Sequence, residues 1–139
     1  MTFNLARVCA VSAISFAAGS LLTHEVKVHA QNSRVFELRV YHTLPGRLPA
    51  LEARFRDHTI TIFNRHQMTS IGYWVPQDAP NTLIYILAHE SRESAKKNWA
   101  AFAADPEWRE VSKASEADGK IVEKVDSTYM NPADYSPMK

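Results

Sequence analysis

Cysteine is almost missing from this 139-residue chain, and the single one, Cys9, falls within the first ten residues. Past that point the chain can build no disulfide, no thiolate nucleophile and no cysteine-based metal site. Glycine is scarce, four residues against seven prolines; with 45% apolar and 22% charged residues, that composition excludes collagen and low-complexity disorder. Neither sign of charge dominates. The formal net charge is +1, so there is no long-range attraction to nucleic acid, and membrane association would need a retained N-terminal segment. No G-x-S-x-G, P-loop or dinucleotide fingerprint occurs. Histidines are few beyond the N-terminal segment (His42, His58, His66 and His89), and none form an H-x-x-x-H pair. His58 and His66 are eight apart, about 80° from each other on a helix, too far round for one metal. Neither a metal nor a cofactor is expected.

Long apolar runs are missing too. The one uncharged stretch, Val8 to Leu22, has 15 residues and spans roughly 22 Å as a helix, short of the ~30 Å hydrocarbon core. It follows a basic start (Arg7) and precedes a polar segment ending in Val28-His29-Ala30, the order of a secretory signal. Residues 1–30 are read as a signal peptide and 31–139 as one domain, exported to a periplasm or secreted. An uncleaved membrane tether is the alternative. With the leader removed, acidic and basic side chains balance and no cysteine is left. A domain of that size is held by its core alone.

What is present is a regular alternation of patterns. Val35–His42 alternates apolar and polar as a strand. Leu44-Pro45-Gly46 is a turn. From Arg47 to Gln67 apolar residues recur at helical spacing with no Gly and with Pro only at position 49, in the first turn, although Thr59-Ile60-Thr61-Ile62 is a β-branched run of poor helix propensity. Ser70–Pro76 reads as a second strand. Thr82–His89 is the most apolar segment after the leader and the candidate central strand. Ser91 starts a second helix, and Asp105-Pro106 restarts it with a good N-cap and a favoured first residue. Asp118-Gly119 ends it, Lys120–Met130 is an edge-like strand, and the tail is extended. The pattern is an α+β, ferredoxin-like βαββαβ domain: a four-stranded antiparallel sheet with two helices on one face.

One face of such a sheet is left without helices. Strand parity places Phe36, Leu38, Val40, Ile84, Ile86 and Ala88 beneath the helices. It sends Glu37, Arg39, Tyr41, Leu83, Tyr85, Leu87 and His89 outward, with Trp74 beside them. An outward face that apolar needs covering, which points to a homodimer packed sheet against sheet around a half-polar pocket.

FELRVYHTLPGRLPALEARFRDHTITIFNRHQ, then SIGYW, then LIYILAHESRESAKKNWAAFAADPEWRE and the closing NPADYSP resemble the NIPSNAP family over residues 36–137. ELRVY followed by PG, AADPEW and the terminal YSP carry the likeness. The resemblance implies a dimeric α/β-barrel. It implies little chemistry, since bacterial relatives mostly lack an assigned activity. In this chain Gln67-Met68 stands where the family often has Gly after the helix histidine.

The pocket candidates are therefore Glu37, Arg39, Tyr41, Trp74, Tyr85 and His89. Barrel relatives use such interiors for small hydrophobic substrates, including cofactor-free oxygenation. A His beside Tyr and Arg can serve as base and anion stabiliser. Glu37 and Arg39, two apart on one face, can equally pair and lock the dimer. Trp99 reads as core, His66 as a helix C-terminal residue facing the dipole, and His42 and His89 as the ends of neighbouring parallel strands on opposite faces. Two functions remain open: a module binding a small apolar ligand or a partner, and a cofactor-independent monooxygenase or isomerase. An enzyme requires His89 or Tyr85 to reach a cavity.

Overall fold

The computed structural model describes residues 34–139. The leader and its cleavage point lie outside the described residues. The strands are β1 (Val35–Thr43), β2 (Thr69–Trp74), β3 (Thr82–His89) and β4 (Val122–Met130). They form one sheet in the order β2-β3-β1-β4, every neighbouring pair antiparallel. The most apolar segment, β3, is central, and β4 is an edge. The ferredoxin-like α+β reading holds. Among the described residues no helix is long and apolar enough to cross a membrane.

The long first helix is continuous but not uniform. α1 (Leu48–Arg54) passes through a π turn (Phe55–Thr59) into α2 (Ile60–Arg65). The β-branched run supplies the reason. Thr59 Oγ1 donates to the Arg54 carbonyl at 3.0 Å, five residues back, and the Ile60 N–H donates to the Phe55 carbonyl. The wider turn brings Arg54 and Phe55 inward together, both buried. Gln67 follows with φ 58, the left-handed region where glycine is most at ease.

α3 (Arg92–Ala104) starts where Ser91 Oγ accepts from the Ser94 N–H at 3.0 Å. α4 (Pro106–Ser115) starts where Asp105 accepts from the N–H groups of Glu107 and Trp108. His66 ends α2 and also bonds to Asp105 at 2.7 Å. One carboxylate thus ties the end of one helix to the beginning of another.

The core lies between helices and sheet. Leu51, Phe55, Ile62 and Phe63 meet Phe102 of α3 and Leu83, Tyr85 and Leu87 of β3. This reverses the parity expected from sequence. Tyr85 and Leu87 are fully buried, and Glu37 and His89 are 1% exposed, all on the helix side. The register agrees, pairing Glu37 with Leu87, Arg39 with Tyr85 and Tyr41 with Leu83. The bare face carries Leu38 opposite Ile86 and Val40 opposite Ile84, with Trp74 on β2 opposite Ile84. The physical reason is bulk. Helices stand well off a sheet, and Tyr85, Leu83 and Leu87 fill that gap better than the branched set Ile84, Ile86 and Ala88. Each such side chain contributes about 1.5–3 kcal/mol on full burial.

Both faces of β3 are apolar, so hydrophobicity alone did not decide which turned inward. The half-polar pocket expected on the bare face is therefore not formed there by Glu37, Arg39, Tyr41, Tyr85 and His89, which lie on the helix side. Nor do His42 and His89 end neighbouring parallel strands. β1 and β3 are antiparallel, so His42, paired with Thr82, and His89, paired with Val35, sit at opposite ends of the strands. The tail after β4 crosses one end of the bare face, enclosing an apolar hollow of about 370 Å³ with Phe36, Ile86 and Met130.

Candidate functional site

β1 places Glu37 on the helix side with its side chain 1% exposed. A carboxylate there must find donors or neutralise. It finds four. Oε1 accepts from Arg39 at 2.8 Å and from the Ser127 hydroxyl at 2.7 Å. Oε2 accepts from His89 Nε2 at 3.0 Å and from the Trp99 indole N–H at 2.6 Å. A carboxylate has about four acceptor sites, so Glu37 is saturated. Burial pushes its carboxyl up, but the hydrogen bonds from His89, Trp99, Ser127 and Arg39 outweigh burial and hold it at about 2. Because a carboxylate only accepts, the proton on His89 in this bond is on Nε2. His89 Nδ1 is buried without a partner among the described residues.

Arg39 connects this cluster to solvent, with 17% of its side chain exposed. Its guanidinium lies over the Trp99 ring, 4.2 Å from the centre, a cation–π contact. Burial works against the charge. Tyr85, Tyr41 and Glu37 outweigh it and raise the Arg39 pKa. Its Nε is buried and unpartnered among the described residues. Tyr85 Oη donates to Tyr41 Oη at 3.3 Å, and burial pushes the Tyr85 phenol up.

Five of the six residues singled out from sequence therefore share the helix side. Glu37 bonds to both Arg39 and His89, and Tyr41 and Tyr85 adjoin them. Trp74 does not join them. It is half exposed on the bare face, where its ring covers Gly72 so closely that a Cβ there would lie 2.6 Å from it.

A cleft of about 520 Å³ opens between β1, β4 and the first half of α3. Glu37 and Arg39 form its floor, Ser127 and Tyr129 its β4 wall, and Arg92, Lys96 and Trp99 its α3 wall. Arg92 lies over the Tyr129 ring, 3.2 Å from its centre. Sequence reasoning missed Trp99, Arg92, Lys96, Ser127 and Tyr129. Trp99 does pack edge-on against Phe63 and Phe102, yet its indole N–H serves Glu37. A usable signal existed. A strand carboxylate facing helices needs a donor from them, and α3 places Trp99 four residues beyond the buried Ala95. Likewise Ser127 and Tyr129 alternate on β4, opposite Arg39 and Glu37. Among the described residues no three potential metal ligands cluster.

With this geometry in view, the NIPSNAP family model matches residues 36–137. The chain belongs to the NIPSNAP family. A NIPSNAP family protein of unknown function from Agrobacterium tumefaciens is 27% identical at a TM-score of 0.69, over 80% of this chain and 98% of that one. A NIPSNAP-like domain protein from Burkholderia xenovorans is 20% identical at a TM-score of 0.67, over 76% of this chain and 90% of that one. A putative antibiotic biosynthesis monooxygenase from Nitrosomonas europaea shares the fold at a TM-score of 0.51, with 12% identity over 69% of this chain and 95% of that one. Among curated proteins none matches. The NIPSNAP assignment thus fixes fold and family, while the family's function is unknown.

Proposed function

We propose that this NIPSNAP chain is an exported small-molecule binding module, that it works as a two-fold homodimer, and that its ligand occupies the cleft beside α3. The observation that carries the reading is the cleft itself: about 520 Å³, within the usual range for ligand sites of ~300–1,000 Å³, over a floor whose polar groups are already locked together. Such a floor positions a ligand without rearranging.

The dimer is drawn on the bare face in its corrected form. Leu38, Val40, Ile84 and Ile86 make a compact apolar block there, with Trp74 at its side and the His42–Asp126 and Lys124–Asp126 pairs along the β4 edge. A self-complementary contact of ~800 Å² per partner is the ordinary solution for such a face. It leaves the cleft, on the other side of the sheet, open. Export rests on the residues of the leader.

The catalytic reading, a cofactor-independent monooxygenase or isomerase, has less support. It needs His89 or Tyr85 against a substrate, and Tyr85 is fully buried while His89, which borders a hollow of about 290 Å³ with Gln67 and Thr69, is only 1% exposed. Glu37 has no acceptor site to spare for a substrate proton.

Native mass spectrometry of the protein purified from its own host tests the reading. The expected result is a dimer whose chains begin near Gln31 and carry a small-molecule adduct. The adduct should disappear in Ser127→Phe, which fills the cleft from the β4 side. A ligand-free protein, or an adduct untouched by Ser127→Phe, contradicts the assigned site.

A further inference from the structure

Taking the cleft as the ligand site, we infer that its ligand is a singly charged organic anion, a carboxylate on a small flat body. Five charged side chains line the cleft: Arg39, Arg92 and Lys96 against Glu37 and Glu93. One positive charge is left over, which a monoanion balances and a phosphate dianion overshoots. The surplus sits with Arg92 and Lys96, since Glu37 is taken up by its own donors. Neither Arg92 nor Lys96 has a carboxylate within ion-pair distance among the described residues. They are one helical turn apart on α3 and line the same cleft.

The two arginines are presented in a particular way. Arg92 lies over the face of Tyr129, its guanidinium carbon 3.2 Å from the ring centre, and Arg39 over Trp99 at 4.2 Å. A guanidinium stacked on a ring keeps its in-plane N–H groups free for an anion. Arg39 gives Glu37 only its Nη1 and keeps 17% of its side chain exposed, so this group's hydrogen-bonding capacity is not exhausted by Glu37. A carboxylate matches that planar array two N–H groups at a time. The aromatic walls favour a flat body behind it. A neutral ligand would leave the α3 cations unmatched, and a second acidic group would meet Glu93 and the buried Glu37.

Calorimetric titration with sodium benzoate and with benzamide separates the two claims, because the probes share a shape and differ in charge. Benzoate should bind at least tenfold more tightly. Arg92→Met and Lys96→Met keep the apolar stems on an exposed helix face, so the protein stays folded. Each should pull benzoate towards the affinity of benzamide while leaving benzamide unchanged. Benzamide binding as tightly as benzoate, or benzoate indifferent to both variants, overturns the anion assignment and leaves the cleft standing. No heat from either probe at millimolar concentration overturns both.

Discussion

The two faces of the sheet are made of similar amounts of apolar material and do opposite work. On the helix side, β3 contributes Leu83, Tyr85 and Leu87 to an aromatic core, and a fully paired Glu37 sits at its margin. On the other side Leu38, Val40, Ile84 and Ile86 form a block of branched aliphatic side chains without a polar group among them, covered by none of the described helices. The first face is self-sufficient, since every acceptor site of its buried charge is filled from within the chain. The second is only half finished. The contrast teaches that a buried charge is a better marker of a sheet's inner face than hydrophobicity is. Apolar groups are at home under helices or under a partner, whereas a carboxylate needs specific donors.

The largest effect should come from breaking the inner face. Glu37→Ala removes the acceptor shared by Arg39, His89, Trp99 and Ser127 and strands the guanidinium, at a cost of about 3–5 kcal/mol. Urea unfolding should show it as a large drop in midpoint. The same group sets an acid limb. Its pKa is about 2 in the fold against 4.5 for the free side chain. Its stabilisation is therefore complete above about pH 5 and drains as the pH falls towards 2, amounting to roughly 3 kcal/mol. Glu37→Gln should flatten that limb in pH-dependent unfolding.

The outer face should respond in a different observable. Ile84→Asp puts a charge in the middle of the aliphatic block, where the chain's own fold does not need an apolar group. Light scattering should show the proposed dimer weakened at least a hundredfold, while circular dichroism and the unfolding slope of the isolated chain stay put. Unchanged dimerisation would mean that the second copy packs elsewhere.

Trp99→Phe sharpens the comparison at the helix wall. It keeps the ring against Phe63 and Phe102 but deletes the N–H bound to Glu37. A hydrogen bond to a charged group contributes about 1.5–3 kcal/mol, and a loss in that range is expected by urea unfolding. The smallest effect lies outside both faces, at the turn leading into β2. Gln67 holds a left-handed φ of 58, so Gln67→Gly should stabilise by about 1 kcal/mol, read as a small rise in Tm. No gain would show that the turn relaxes at no cost.

Much of this molecule was legible from the residues. The alternation in Val35–His42, the Ser91 and Asp105 caps and the apolar run of β3 each rest on short-range rules, and each is found. The π turn was signalled by the β-branched run but not readable as such, because a regular helix and one with an inserted residue bury nearly the same positions. The site was half legible. Glu37, Arg39, Tyr41, Tyr85 and His89 were correctly grouped by strand parity, which is local. Their face was assigned the wrong way round, because that depends on which side chains fill the distance to the helices, a property of tertiary packing. Trp74 failed for a related reason. The irregular pairing between Ser70 and Gly72 breaks simple counting along β2. Trp99 reads from sequence as an aromatic filler, whereas its one polar atom is what Glu37 requires.

The account stands on Glu37 being enclosed beneath the helices with all its acceptor sites filled. Carbon-13 NMR of the Glu37 side-chain carboxyl across an acid titration reads this directly. The account predicts no titration of that carboxyl above about pH 3 in the folded protein, with the Trp99 indole proton shifting only when the carboxyl does. A midpoint near 4.5, with the Trp99 indole unmoved through it, would place Glu37 in water and contradict the assignment of the two faces.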